Sequence, residues 1–145
     1  MTTKEARKVG RFSVDLEVSN YVDVEAVRRK ALRPDQVRRL NIKGVVDSGA
    51  AKFVLPKVVA EQLGLQMTNK VRVRYADGRS AKRSLAQGAF VTLLGREGIF
   101  TAIVEPNRND ALIGAIVLED LDLLVDCTHQ RLVPRDPKIA VYEIE

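Results

Sequence analysis

Alternation of apolar and polar side chains predicts strands at several places along the chain. Residues Phe12 to Ser19 alternate strictly between the two classes, which is the period-two pattern of a strand with one buried face. Val71, Val73 and Tyr75 alternate with arginines, and Ala76-Asp77-Gly78-Arg79 after them is typical of a hairpin turn that leads into a returning strand. Further short strands are predicted over residues 42–46, 89–94, 99–105, 111–114, 124–126, 130–133 and 139–144.

Apolar residues at intervals of three to four predict only short helices. Val24, Val27 and Ala31 are spaced in this way until Arg33-Pro34 interrupts the pattern, and Pro34 suits the first turn of a second helix reaching Leu40. Residues 23–40 are therefore predicted to form a helical insertion. Two more helices are predicted over 56–63 and 118–123, and residues 1–11 are predicted to be a flexible tail.

Length and composition indicate one mainly β domain over residues 1–145, which at this size buries about two thirds of its unfolded surface. The longest apolar run, residues 111–118, is far shorter than the roughly 20 residues of a membrane span. The first twelve residues are charged and lack the apolar stretch of a secretory signal. With one cysteine and one histidine, neither an internal disulfide nor a two-histidine zinc site can form. We expect a cytoplasmic protein without metal, cofactor or membrane partner.

Charge along the chain leaves a nucleic-acid partner as a less favoured alternative. Lys and Arg number 24 against 19 acidic residues; residues 1–46 and 70–96 are basic, whereas residues 97–145 are acidic. Three Tyr, four Phe and no Trp leave few side chains on which bases could stack. The basic and acidic segments could equally hold two subunits together.

The segment Val45-Val46-Asp47-Ser48-Gly49-Ala50 is the strongest candidate for chemistry. Its residues 47–50, hereafter the aspartate loop, follow directly on an apolar strand, which should shelter the Asp47 carboxylate from bulk solvent. Gly49 permits a tight turn, and the Ser48 hydroxyl can hydrogen-bond to a neighbouring backbone. One carboxylate cannot act as general base and general acid in the same step. Hydrolysis at this loop would therefore require a second carboxylate nearby.

Other polar clusters favour structural roles. Asp126 also follows an apolar segment, but no glycine comes after it to form a tight loop. Cys127 and His129 are spaced so that they could pair as a thiol nucleophile and its base, yet their segment is more typical of a hairpin turn. The acidic residues at 119, 120 and 122 could bind a cation, but a solvated acidic face is the favoured interpretation.

The aspartate loop, followed by Leu55-Pro56 and much later by Leu112-Ile113-Gly114, resembles the retropepsin-like aspartic proteases. The resemblance covers roughly residues 12–133 and is greatest to short bacterial members, which also carry an Ala-Asp-Gly hairpin and a late Leu-Val-Asp segment. It implies a closed-barrel β fold with one lobe per chain and Asp47 as the catalytic residue. Ser48, Gly49 and Ala50 would form the active-site loop, and Leu112, Ile113 and Gly114 would pack behind it.

The same resemblance implies a homodimeric endopeptidase. Because each chain has a single Asp-Ser-Gly loop, Asp47 from each of two subunits would meet on a two-fold axis and share a proton. One carboxylate would then activate water and the other would polarise the peptide carbonyl, without a cofactor or metal. The hairpin Val71 to Gly88 occupies the place of the flap that covers the peptide, with Tyr75, Ala76, Asp77 and Gly78 at its tip. Its basic residues predict acidic substrates whose cleavage is slowed by salt.

Some positions depart from the viral members of this family. Ala51-Lys52 stands where those members carry another aspartate, and Ala115 stands where they carry a polar residue. The 23–40 insertion has no viral counterpart and is expected either to buttress the dimer or to shield the cleft. The strand predicted over 139–144 is the candidate for a dimer sheet. A catalytically silent module that binds peptides or dimerises on the same fold remains the alternative function.

Overall fold

The computed structural model describes residues 11–145, which form nine strands, three α-helices and one 3₁₀ helix. The strands are β1 (Arg11–Asn20), β2 (Arg39–Asp47), β3 (Phe53–Pro56), β4 (Gln66–Arg74), β5 (Ser80–Leu93), β6 (Arg96–Glu105), β7 (Ala111–Ile113), β8 (Leu123–Asp126) and β9 (Arg131–Pro134). The α-helices are α1 (Tyr21–Arg28), α2 (Lys57–Gln62) and α3 (Ala115–Asp120), and the 3₁₀ helix spans Pro34–Gln36. The predicted tail over residues 1–11 lies outside the described residues, apart from Arg11, which begins β1.

Six strands close into a barrel in the order β1-β2-β7-β3-β6-β5. The barrel closes because β5 pairs back onto β1, with Glu17 opposite Thr92 and Asn20 opposite Ala89. Closure removes the free edges of the sheet, so the backbone groups of these strands are paired within the barrel. The predicted mainly β, closed-barrel fold of the retropepsin type is confirmed.

Strand β5 takes part in both the barrel and a hairpin with β4. Its first half pairs with β4 and its second half with β1, and the register of β5 against β6 shifts between Ala86 and Ala89. Gly88 lies within this bulge at a φ of +77°, a conformation that few other residues adopt without strain. The bend lets β4 and the start of β5 leave the barrel as a two-stranded hairpin.

The core fills the barrel and the space beneath its helices. Strand β3 lies between β6 and β7, and all four of its residues are buried. Phe53 is fully buried there, and its ring lies 6.1 Å from that of Phe100 on β6. Leu63 after α2 and Val117 in α3 are also fully buried, so both helices pack against the barrel. No helix within residues 11–145 is long and apolar enough to cross a membrane.

The predicted second helix of the insertion is wrong at its end, because Leu40 lies in β2 opposite Val18 of β1. Pairing with β1 satisfies the backbone groups of this segment, so helix is limited to α1 and the 3₁₀ turn. The buried Asp23 carboxylate accepts hydrogen bonds of 2.8–3.0 Å from the backbone and guanidinium of Arg38. The Asn20 side chain donates to Leu63 O at 2.9 Å. The Asp23–Arg38 contacts join the two ends of the insertion, and the Asn20 contact joins the end of β1 to the end of α2.

Two predictions near the carboxyl end are also wrong. The helix expected over 118–123 spans Ala115–Asp120 instead. It begins directly after Gly114, and it ends before residue 123 because Leu123 already belongs to β8. Residues 139–144 form no strand in the described subunit. They are held by hydrogen bonds instead: Val141 N donates to Asp122 Oδ2 at 2.9 Å, and the Tyr142 hydroxyl donates to Asp120 O. Ile139 and Ile144 remain exposed.

Candidate functional site

Asp47 is the last residue of β2 and begins a tight turn. Its Oδ1 accepts a hydrogen bond of 3.0 Å from Gly49 N, and its carbonyl accepts one of 3.1 Å from Ala50 N. A Cβ on residue 49 would lie 3.3 Å from Oδ1, so a glycine is the best fit at this close approach. The carboxylate is 26% exposed, consistent with the shelter predicted from the preceding valines. The Ser48 hydroxyl is exposed and makes no hydrogen bond within residues 11–145.

An arginine missed by the sequence analysis contacts the Asp47 carboxylate. Arg11 begins β1 and lies directly opposite Asp47 in the antiparallel pairing of β1 with β2. Its Nη2 lies 3.2 Å from Asp47 Oδ2. Thus Oδ1 of Asp47 accepts a hydrogen bond within the turn, and Oδ2 pairs with a guanidinium. Arg11 directly precedes the strand predicted over 12–19, and only the observed pairing of β1 with β2 brings it to Asp47.

The segment Leu112-Ile113-Gly114 supports the aspartate loop as predicted. Strand β7 lies between β2 and β3, parallel to β2 and antiparallel to β3. Beyond β7, Ala115 N donates to Ala50 O at 2.7 Å. A Cβ on Gly114 would lie 2.7 Å from Ala50 O and 2.8 Å from Lys52 N. Glycine is therefore required for the chain to pass this close behind the loop.

A cavity of about 770 Å³ opens beside the aspartate loop. Gly49, Ala50 and Leu112 line one side of it, and β4 residues from Val71 to Tyr75 line the other. The helical insertion contributes no residue to the lining, which does not support the expectation that it shields the cleft of its own subunit. The cavity has the size and the mixed apolar and charged lining of a site that could take part of an extended peptide.

The β4–β5 hairpin is anchored over this cavity by one charged cluster. The Tyr75 hydroxyl donates to Glu105 Oε2 at 2.7 Å, and Arg83 Nε donates to Glu105 Oε1. The hydrogen bond to Glu105 raises the pKa of the Tyr75 phenol above its usual value, and burial acts in the same direction. Glu105 was not predicted as a functional residue, because its partners lie 22 and 30 residues away in sequence.

Of the four residues predicted at the hairpin tip, Tyr75 alone lines the cavity. Gly78 N donates to Tyr75 O at 3.0 Å, and Gly78 adopts a φ of +88°, as the predicted turn requires. Asp77 accepts hydrogen bonds from the backbone and side chain of Arg79, and the backbone hydrogen bond is the main cause that lowers the Asp77 pKa. In this subunit Ala76, Asp77 and Gly78 thus form the exposed tip beyond the cavity.

Arg108 is a second residue that the sequence analysis missed. It lies in the segment between β6 and β7 and lines the same cavity as the aspartate loop. Its Nε donates to Asp110 O at 2.7 Å. Burial lowers the pKa of the Arg108 guanidinium, and the charge of Arg11 acts in the same direction, whereas Asp110, Glu105 and Asp47 oppose the shift. The guanidinium is therefore near the Asp47 charge.

The remaining candidate groups lie in the hairpin turn of β8 and β9. Asp126 accepts hydrogen bonds from His129 N and His129 Nδ1 and forms an ion pair with Arg131. The hydrogen bonds from His129 are the main cause that lowers the pKa of Asp126 to about 2. Cys127 is exposed in the same turn. This arrangement matches the predicted turn role of all three residues.

Comparisons with known proteins found one matching family model and similar solved structures. A family model described as aspartyl protease matches residues 36–117, which include the aspartate loop, the β4–β5 hairpin and β7. No curated protein matched the chain. The retroviral protease-like domain of Ddi1 from Leishmania major is 24% identical, with 66% of this chain and 75% of that chain covered and a TM-score of 0.47. The protease of Simian Foamy Virus (mac) is 13% identical, with 74% and 91% covered and a TM-score of 0.47.

Proposed function

Since the chain belongs to the aspartyl protease family, whose model matches more than half of it, we propose that it is a homodimeric endopeptidase. The observation that carries this proposal is the sheltered Asp47 carboxylate at the end of β2, beside a cavity that a peptide could enter. Each chain supplies one aspartate loop, so a second subunit must supply the second carboxylate. We also propose a cytoplasmic location.

The chemistry follows from two carboxylates held close together. They cannot both ionise without strong repulsion, so they retain one proton between them. The ionised Asp47 takes a proton from water as the water attacks the peptide carbonyl, while the protonated Asp47 of the partner subunit donates a hydrogen bond to the carbonyl oxygen.

Exposed apolar side chains support the dimer. Ile116 at the start of α3 is 43% exposed and Leu124 in β8 is 47% exposed, and the tail adds Ile139 and Ile144. Ile116 lies close to the aspartate loop, because its N donates at 3.0 Å to the O of Ala51, the residue after the loop. Exposed apolar side chains of this kind favour contact with a second copy.

Peptide cleavage by wild type and by Asp47→Asn, measured from pH 3 to 8, tests the function. We expect a fall in kcat/KM of at least about 10²–10⁴-fold for the variant, because a proton-transferring group is lost. Asp126→Asn is the matched control: it also replaces an aspartate at a strand end, and we expect it to retain activity. Absence of cleavage by the wild type at every pH would leave the silent peptide-binding module. Nucleic-acid binding that is steeply salt-dependent and indifferent to Asp47 would indicate the third alternative.

Mixing the two proteins tests whether each site uses two subunits. If subunits exchange at random and both Asp47 residues are required, an equimolar mixture should show about one quarter of the wild-type activity. Independent subunits would show about one half. Sedimentation velocity on the same samples should report a dimer for both proteins, since Asp47→Asn leaves the packing of the loop intact.

A further inference from the structure

The cavity beside the aspartate loop carries an excess of positive charge. Lys52, Arg72, Arg74 and Arg108 line it, whereas Glu105 is the one carboxylate that lines it among the described residues. Both oxygens of Glu105 are already occupied, one by Arg83 and the other by the Tyr75 hydroxyl. The cationic groups of the cavity are therefore not neutralised from within it.

Arg108 differs from the other three cations in its surroundings. Lys52, Arg72 and Arg74 are exposed, so water and salt screen their charges. Arg108 is half-buried, and the loss of water around its guanidinium is the main cause of its lowered pKa. Within residues 11–145 its Nε makes the one hydrogen bond of the guanidinium, and no carboxylate lies within ion-pair distance. Its two terminal nitrogens are thus left to bind a ligand.

The orientation of the Arg108 side chain is fixed by its own loop. The hydrogen bond from Nε to Asp110 O leaves the terminal nitrogens as the remaining donors in this cavity. Leu112 of β7, two residues after Asp110, lines the cavity together with Gly49 and Ala50 of the aspartate loop. The guanidinium thereby reaches the space that a peptide must cross to approach Asp47.

We propose that Arg108 selects substrates that carry an acidic residue close to the scissile bond. This inference rests on the proposed peptidase function and names its substrate class. A guanidinium whose water has been partly removed binds a carboxylate strongly, because two parallel hydrogen bonds replace lost hydration. The sequence analysis attributed an acidic preference to the exposed arginines of the β4–β5 hairpin. Arg79 and Arg83 of that hairpin are instead paired with Asp77 and Glu105.

Cleavage-site profiling on a mixture of peptides from a digested proteome tests the proposal. We expect Glu or Asp to be enriched at one position next to the cut by wild type and not by Arg108→Gln. A matched pair of peptides that differ by Glu or Gln at that position should then differ about 10- to 100-fold in kcat/KM for wild type and less than about threefold for Arg108→Gln. Arg29→Gln, which removes an equal charge from the exposed end of α1, should retain the wild-type preference.

A charge-reversed variant distinguishes a change of substrate preference from a loss of folding. Arg108→Glu should prefer Lys over Glu at the same position, and thermal unfolding should show that each variant is folded. Equal cleavage of the Glu and Gln peptides by wild type would overturn the proposal while leaving the peptidase function intact. Retention of the Glu preference in Arg108→Gln would overturn it as well.

The proposal also has an outcome if the protein cleaves nothing. In that case the peptidase function fails, and fluorescence anisotropy measures binding of labelled ten-residue peptides with a central Val-Glu or Val-Gln. Tighter binding of the Glu peptide by wild type than by Arg108→Gln would support recognition by Arg108 in a silent module. Binding that ignores either the peptide's charge or Arg108 would overturn the inference.

Discussion

The aspartate loop and the β4–β5 hairpin face the same cavity but differ in burial. Val46 before the loop and Ile113 behind it are fully buried, and so is Phe53 of β3, on the far side of the loop. In β4 no residue is buried, and exposed side chains alternate with half-buried ones along most of its length. The segments around the loop thus belong to the barrel core, whereas the hairpin is a two-stranded extension.

The contacts that hold the two regions differ as well. Backbone hydrogen bonds to the segment after β7 hold the loop, at 2.7 Å from Ala115 N to Ala50 O and 3.0 Å from Ile116 N to Ala51 O. Side-chain contacts to Glu105 anchor the hairpin over the cavity. Core packing gives a fixed position, while a few polar contacts at the surface can be broken at low cost. The Asp47 carboxylate therefore has a rigid base, whereas the hairpin is held mainly by a few side-chain contacts.

The largest contrast is expected from truncating one apolar side chain in each region. Phe53→Ala should lower the free energy of unfolding by about 3–5 kcal/mol, because it removes a fully buried ring and leaves a cavity. Val73→Ala, at a half-buried position of β4, should cost about 1 kcal/mol or less. Urea denaturation measures both values. Similar losses at the two sites would show that the hairpin belongs to the same packed core.

A smaller contrast should come from adding one methyl group to a glycine in each region. Gly114→Ala places a Cβ against the backbone of Ala50 and Lys52, and we expect a cost of about 1–3 kcal/mol together with loss of peptide cleavage. Gly78→Ala meets no atom within 4 Å and suffers only from its positive φ, which should cost about 1 kcal/mol. Thermal unfolding and peptidase assays compare the variants. Full activity in Gly114→Ala would contradict the role of β7 as support for the loop.

Asp23 in the insertion and Asp77 at the hairpin tip should differ in how strongly they make stability depend on pH. Hydrogen bonds from the Arg38 side chain are the main cause that lowers the pKa of the buried Asp23, which joins the two ends of the insertion. Because the folded-state pKa lies below the unfolded value of about 3.9, this stabilisation is complete above that pH and is lost as the pH falls through the folded-state pKa. We expect Asp23→Asn to lower the urea midpoint at pH 7 and to flatten its decline toward pH 2. Asp77→Asn, at the exposed hairpin tip, should change the urea midpoint and its pH dependence less. An unchanged pH profile in Asp23→Asn would refute the assignment.

The smallest effect is expected from removing one hydroxyl. Tyr75→Phe breaks the hydrogen bond to Glu105 that anchors the hairpin, at a cost of about 0.5–1.5 kcal/mol, and should raise KM severalfold with a smaller change in kcat. Tyr21→Phe is the control, because the Tyr21 hydroxyl makes an equivalent hydrogen bond of 3.0 Å to Glu25 in α1. It should lose similar stability and leave KM unchanged. Equal effects of the two variants on KM would show that Tyr75 has no special role at the cavity.

The predictions that succeeded rest on patterns within a few residues. Alternation over 12–19 and Ala76-Asp77-Gly78-Arg79 at a turn were sufficient to place β1 and the β4–β5 hairpin, since side-chain period and turn chemistry are local properties. The order of Asp47, Leu55-Pro56 and Leu112-Ile113-Gly114 was sufficient for the family. The errors at Leu40 and over 118–123 arose where pairing with a distant strand decided the structure.

Those residue patterns by themselves determined most strands of the barrel and the aspartate loop, but they did not predict β3. Only the tertiary structure decided what surrounds Asp47. Arg11 lies 36 residues before Asp47 in sequence and meets it through the pairing of β1 with β2. Arg108 lines the cavity beside the aspartate loop from the segment between β6 and β7. Contacts of this kind depend on strand register and burial, which set the distance and the hydration of each charge. A residue's type and position in the sequence do not specify them.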